Sequence, residues 1–168
     1  HHAVRHDDLT GVLARRALLK QGDRLLERYQ RESTGLAVMM VDVDHFKQVN
    51  DQHGHGAGDR LLVSIAQTMA RALRADDVLG RMRGEEFAAV LPGVSPTQAQ
   101  AIAERVRSAV ERQALDATQG GPQRATVSIG LVHSATLGAE ADMDTLLLAA
   151  DTALYRAKAE GRNRVMVG

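Results

Sequence analysis

Apolar positions along the chain fall into runs and stripes that predict alternating strands and helices. Leu36 to Val43 (LAVMMVDV) is a short, Val-rich apolar run ending in acid, the pattern of a buried strand, and it predicts the central strand. From Leu61 to Leu73, Leu62, Ile65, Ala66, Met69 and Leu73 recur at helical spacing, while Arg60, Gln67, Arg71 and Arg74 fall elsewhere, which predicts an amphipathic helix. Asp77 to Met82 and Phe87 to Leu91 read as two strands of a hairpin, joined by the turn-like Arg83-Gly84-Glu85-Glu86. Ser95-Pro96-Thr97-Gln98 combines a capping Ser, Pro at the first helical position and Gln three residues after the cap. These open a helix through Ile102, Val106 and Val110. Arg124 to Val132 is β-branched and partly alternating, Leu146 to Ala157 repeats at helical spacing, and Gly161 sits at a helix stop before a last strand, Arg164 to Val167. With an N-terminal helix near Ala14 to Arg31, the order is helix, strand, helix, hairpin, helix, strand, helix, strand. That order predicts an α+β sandwich on the ferredoxin-like plan, with helices covering a mixed or antiparallel sheet.

Composition narrows the function classes. The 168 residues suit one domain with a sizeable core. Apolar residues make up 44% but aromatics only 2%, so the core is aliphatic and no stacking platform for single-stranded nucleic acid is available. Lys plus Arg equals Asp plus Glu at 21 each, which leaves no global basic field for a polyanion and argues against a nucleic-acid partner. A phosphate ligand must then be held by a few local groups and a cation. The absence of Cys removes thiolate nucleophiles, disulfides and Cys-type zinc sites, in keeping with a reducing, cytoplasmic setting. No apolar run is long enough for a membrane span and no signal pattern opens the chain, so no membrane contact is expected. Residues 1–5, beginning His1-His2, read as a linker or tag remnant, and 6–168 as the domain.

Candidate chemistry begins at the end of the predicted central strand. Asp42 directly follows the apolar run, where a carboxylate needs a cation or several donors, and its oxygens suit a hard cation such as Mg²⁺. Asp44 reads either as a second acid at that site or as the cap of a short helix starting near His45. The loop is no EF-hand, since the Gly at its sixth position and the Asp or Asn at its fifth are missing. Gly54-His55-Gly56-Ala57-Gly58-Asp59 reads as a flexible segment leading into the Leu61 helix, with its amides at a helix N-terminus that favours anions. His45, His53 and His55 lack metal-ligand spacing and read as surface or substrate-contacting residues. Adjacent Glu85 and Glu86 in a tight turn repel each other, which makes sense around a cation. Taken alone, the same turn reads as a solvated hairpin end.

Asp42-x-Asp44-x-Phe46-Lys47-x-x-Asn50-Asp51-x-x-Gly54-His55-x-x-Gly58-Asp59 and Gly84-Glu85-Glu86-Phe87 resemble the GGDEF family of diguanylate cyclases. The resemblance extends to His6-Asp7-x-Leu9-Thr10-Gly11 and Tyr155-x-Ala157-Lys158-x-x-Gly161-Arg162-Asn163, so it spans nearly the whole chain. It implies a nucleotidyl-cyclase-type sheet, conversion of two GTP into cyclic di-GMP, Mg²⁺ or Mn²⁺ as cofactor, and a homodimer presenting two half-sites. It further implies Asp42, the Val43 carbonyl and Glu85 as metal ligands, Glu85 or Glu86 as general base, and Lys47 as a phosphate or transition-state contact. Phe46, Asn50, His55, Asp59 and Gly84 become substrate contacts, with Asn50, His55 and Asp59 recognising guanosine. Lys158 and Arg162 become triphosphate clamps; four apart, they are expected on one helix face. Arg74-x-x-Asp77 stands at the offset of the family's inhibitory site for cyclic di-GMP, with Arg105 and Arg28 as assisting cations.

Two positions depart from the family's pattern. Arg83 replaces the first glycine of the tip, and Ala14 replaces an Asn before Arg15. Arg83 either crowds the nucleotide or points outward. Three readings follow: an active, product-inhibited cyclase, a catalytically weakened module that binds GTP or cyclic di-GMP, and a related cyclase using ATP.

Overall fold

The computed structural model describes residues 4–32 and 34–168, so residues 1–3 of the expected linker lie outside the described residues. The chain runs β1 (Leu13–Ala14), α1 (Arg15–Arg31), β2 (Leu36–Val43), α2 (Phe46–His53), α3 (His55–Ala72) and β3 (Val78–Arg83). It continues through β4 (Glu86–Pro92), α4 (Pro96–Arg112), β5 (Val127–His133), α5 (Ser134–Leu137), α6 (Met143–Ala159) and β6 (Val165–Val167). Among these elements no helix is long and apolar enough to cross a membrane.

Strand β2 is buried along its whole length because helices cover both faces of the sheet. Its side chains alternate between them. Ala37, Met39, Val41 and Val43 join the core with Leu62, Ile65 and Met69 of α3 and Ala103 and Val106 of α4. Leu36, Val38 and Met40 join the opposite core with Leu18 and Leu26 of α1 and Leu146, Ala150 and Leu154 of α6. Three layers result, with the sheet in the middle. The strand order is β1-β3-β4-β2-β5-β6. Strands β3, β4, β2 and β5 pair antiparallel, in the arrangement a ferredoxin-like βαββαβ unit demands, while β1 and β6 add to the edges in parallel. The predicted α+β sandwich with a mixed sheet is the fold observed.

One predicted helix start holds and another moves. The capping box at Ser95 is formed as expected, with Ser95 Oγ accepting from the Gln98 N–H and Gln98 Oε1 accepting from the Ser95 N–H. Helix α3, however, starts at His55 rather than Leu61, so the glycine-rich segment is helix and not loop. Only Gly54 stands outside, at φ +88, where its N–H closes α2 on the Asn50 carbonyl and its carbonyl accepts from Gly58 N–H. Gly58 is there for space: a Cβ would lie 1.9 Å from Asn50 Oδ1. Glycine was read as flexibility where it marks the close packing of α2 on α3.

A second glycine sets the depth of α6. A Cβ on Gly130 of β5 would sit 2.0 Å from the Ala150 carbonyl oxygen and 2.2 Å from the Leu154 nitrogen, so α6 lies with its backbone against the sheet. Gly130→Ala should therefore destabilise the fold by roughly 3 kcal/mol. Urea unfolding would register this as a lower midpoint with an unchanged m-value.

Candidate functional site

The hairpin between β3 and β4 turns in two residues, Gly84 and Glu85, with Gly84 at φ +43. Strand register places Glu86 opposite Asp42 on β2, and the Val43 N–H donates to the Glu85 carbonyl at 3.2 Å. The acidic tip is thus fastened to the acidic end of the central strand. Arg83 points outward: its side chain is 75% exposed and its Nε donates to Glu86 Oε1 at 3.0 Å. Glu85 instead lines the adjacent cleft.

Arg81, which sequence reasoning missed, braces the tip from behind. Its Nε donates to the Gly84 carbonyl at 2.9 Å and its guanidinium reaches both carboxylate oxygens of Asp7 at 3.2 Å. Asp7 also accepts from the Thr10 N–H and hydroxyl. Burial alone would raise its pKa, but the bonds from Thr10 and Arg81 hold it below the usual carboxylate value. The His6-Asp7-x-Leu9-Thr10-Gly11 segment is therefore tied directly to the hairpin. The signal was present in an Asp and an Arg, but their 74-residue separation hid the pairing.

Asp42 is 5% exposed, and Lys158 Nζ, in the last turn of α6, donates to its Oδ2 at 2.6 Å. Burial pushes the Asp42 carboxyl up to about 6; Lys158 works against that shift, while Glu85 and Glu86 add to it. A buried carboxylate crowded by two others favours any added cation. Among the described residues no three His, Asp or Glu side chains form a ready-made cage. Two carboxylates and the Val43 carbonyl suit Mg²⁺, a hard ion that takes few protein oxygens and shares the rest with substrate phosphates and water.

Asp44 does not cap α2, whose N-cap His45 is left-handed at φ +58 and makes no side-chain capping bond. Its carboxylate turns to the sheet instead. It accepts from Ser128 Oγ at 2.6 Å, Thr126 Oγ1 at 2.7 Å and the Asn163 N–H at 3.0 Å. Lys158 and Arg162 also depart from expectation, because α6 stops at Ala159. The Arg162 N–H donates back to the Ala157 carbonyl and the Gly161 N–H to the Lys158 carbonyl, the paired bonds of a Schellman cap. Arg162 thus stands beyond the helix, yet the turn brings it beside Lys158.

An open cleft of about 370 Å³ gathers Asp42, Val43, Phe46, Lys47, Glu85, Lys158 and Arg162. Asn50, His55 and Asp59 are not in its wall. They stand at the elbow of α2 and α3, where Asn50 Oδ1 is buried without a partner among the described residues and Asp59 lines a separate hollow of about 250 Å³ beside Leu9 and Val63. Gly84 is exposed at the tip. Arg74 and Asp77 form a forked ion pair at 2.7 Å, with the Asp77 side chain fully buried and Arg74 also donating to the Pro92 carbonyl. Arg105 of α4 donates to the Ala72 carbonyl at 2.6 Å, which brings it to the same end of α3. Arg28 lies over the Tyr29 ring and pairs with Glu32.

Known proteins share this arrangement of sequence and fold. The family model "Diguanylate cyclase, GGDEF domain" matches residues 4–164. The chain is 39% identical over 164 residues to diguanylate cyclase DosC of Escherichia coli K12, covering 98% of this chain and 35% of that protein. It is 36% identical over 162 residues to the probable diguanylate cyclase DgcT of the same organism, covering 96% of this chain and 35% of that protein. The chain spans about a third of the length of these curated relatives. Among solved structures, the GGDEF domain of DgcB from Caulobacter crescentus in complex with c-di-GMP superposes with a TM-score of 0.91 at 28% identity, covering 99% of this chain and 94% of that one. Diguanylate cyclase SiaD of Pseudomonas aeruginosa, in complex with its activator SiaC, superposes with a TM-score of 0.90 at 37% identity, covering 97% of this chain and 61% of that one. The acidic strand end, the hairpin tip and the sheet that joins them belong to a GGDEF domain, and the chain is a member of the diguanylate cyclase GGDEF family.

Proposed function

We propose that this domain condenses two GTP into cyclic di-GMP with release of pyrophosphate. The observation that carries the reading is the mixed lining of the cleft: buried Asp42 and half-buried Glu85 together with the cations Lys47, Lys158 and Arg162. Such a site suits a metal–triphosphate complex, whose cation meets the acids and whose phosphates meet the bases. Asp42, the Val43 carbonyl and Glu85 would hold Mg²⁺ or Mn²⁺, which supplies Lewis-acid activation of the phosphate and neutralises its charge.

The chain's own groups bind and align. Lys158, Arg162 and Lys47 hold the phosphates, Phe46 and Gly84 border the bound nucleotide, and Asn50, His55 and Asp59 read guanosine from the α2–α3 elbow. In each transfer the 3′ hydroxyl oxygen bonds to the α-phosphorus of the other GTP, the bond from that phosphorus to pyrophosphate breaks, and the hydroxyl proton goes to a base. Glu85 faces the cleft, whereas Glu86 has one oxygen held by Arg83, so Glu85 is assigned the proton. One cleft holds one nucleotide, so the second arrives on a partner copy and dimer geometry sets the rate. GTP as substrate places the domain in the cytoplasm. The outward Arg83 leaves the wall of the cleft unobstructed, which favours the enzyme over a weakened binding module.

Arg74, Asp77 and Arg105 are proposed to hold cyclic di-GMP as an inhibitory product. Their clustering at the end of α3 supports this, as does the cyclic dinucleotide in the C. crescentus DgcB complex.

With GTP and Mg²⁺ the protein should yield cyclic di-GMP on chromatography, and Glu85→Gln should lower turnover by about 10³-fold or more. Arg83→Gly should change initial rates by no more than about threefold, since an exposed ion pair contributes little. Arg105→Ala should weaken cyclic di-GMP binding in calorimetry by roughly tenfold while leaving uninhibited turnover near wild type.

A further inference from the structure

Immediately after α6 the backbone turns left-handed at three successive residues, Gly161 at φ +126, Arg162 at φ +65 and Asn163 at φ +47. Glycine adopts this conformation readily. Arg and Asn do so at a cost, and such strain persists only where the surroundings over-determine it. Here the surroundings converge on Asn163. Its N–H donates to Asp44 Oδ2 at 3.0 Å, Arg107 donates to its Oδ1 at 2.7 Å, and its own side-chain amide donates to Glu111. Arg107 and Glu111 both come from α4 and pair with each other at 3.3 Å, and Glu104 grips Arg107 at 2.7 Å. The Asn163 and Arg107 contacts hold Glu111 below its ordinary pKa, so the acceptor is ionised across neutral pH.

We propose that Asn163 is a positioning residue for the triphosphate. Its side-chain amide pins the left-handed turn to α4, its backbone N–H pins the same turn to the acidic end of β2, and together they aim Arg162 into the cleft. Asn163 does not itself line the cleft; it touches Asp44, which does, and acts through its neighbour Arg162. Asn suits the position twice over, because it tolerates positive φ and offers both a donor and an acceptor to the Arg107–Glu111 pair. A freely rotating tail after α6 would let the exposed Arg162 side chain swing away, and the cleft would lose one of the cations that line it. The inference rests on the assignment of Arg162 to phosphate binding.

The test is a double-mutant cycle on Arg162 and Asn163. It is read as affinity for a non-hydrolysable GTP analogue with Mg²⁺ in calorimetry, and as KM and kcat for GTP. Asn163→Ala should weaken affinity and raise KM by roughly tenfold while kcat stays within about threefold. Asn163→Gly admits the left-handed backbone without the amide, guards against a variant that does not fold, and should show the same weakening. In an Arg162→Ala background, Asn163→Ala should add nothing, because both remove one contact. If Arg162→Ala weakens binding and Asn163→Ala or Asn163→Gly binds as wild type, the positioning role fails while the phosphate assignment stands. Additive losses in the double variant also overturn it. If Arg162→Ala itself binds the analogue normally, the phosphate assignment fails, and the inference fails with it.

Discussion

The contact between Lys158 Nζ and Asp42 Oδ2, at 2.6 Å with the carboxylate buried and the ammonium a third exposed, is the interaction on which the site depends. A half-buried ion pair of this kind does little for stability, since desolvation of the carboxylate offsets the attraction. Its value lies in what it keeps available. Asp42 stays raised toward about 6 even with the ammonium in place, because burial and the neighbouring Glu85 and Glu86 outweigh Lys158. The carboxylate therefore remains under-neutralised, and a further cation would relieve it. In the proposed reaction Lys158 can release Asp42 to a metal and turn to the phosphates the metal brings.

That contact exists only because of distant packing choices. Lys158 reaches Asp42 because α6 presses its backbone against β5 at Gly130, bringing the helix down to the sheet. Asp42 faces α6 because β2 alternates, with Leu36, Val38 and Met40 on the same side. The tip is held with equal care. Register sets Glu86 opposite Asp42, Arg83 draws one oxygen of Glu86 away from the cleft, and Arg81 fixes the turn by its carbonyl. Of the clustered acids, Glu85 lines the cleft with Asp42 while Arg83 occupies Glu86. Arg83 thus acts on the charge balance of the tip rather than on its shape.

Much of the fold was legible where one local rule decided the outcome. The Leu36–Val43 run, the Ser95 capping box and the hairpin each carry their own signal, and each forms as expected. What the chain concealed was non-local. The Gly54–Asp59 segment looked flexible because glycine propensity is local, yet Gly58 answers to the Asn50 side chain on another helix. Lys158 and Arg162 looked like neighbours on a helix face, which spacing alone would give; Gly161 ends the helix between them and a Schellman turn restores the proximity by another route. A cap is one of the two readings of Asp44, because capping is what an Asp before a short helix usually does. Its real partners, Ser128 and Thr126, lie more than eighty residues away. The two-residue β1 and the one-turn α5 are too short to leave a periodic trace.

The Arg74–Asp77 pair shows how structural and binding roles can share one set of atoms. The Asp77 side chain is wholly buried, so its carboxylate cannot meet a ligand without rearrangement; it accepts from the Arg74 backbone and guanidinium alike. In the proposed product site Asp77 is therefore an orienter, and Arg74, about a third exposed, is the surface that a guanine or phosphate edge would meet. Such a guanidinium is already held in place before any ligand arrives. Little side-chain freedom remains to be lost on binding, which is the usual route by which a pre-organised cation outperforms a flexible one. The same pair that ties the end of α3 to the start of β3 would then make the site ready, and removing either residue would disturb fold and binding together.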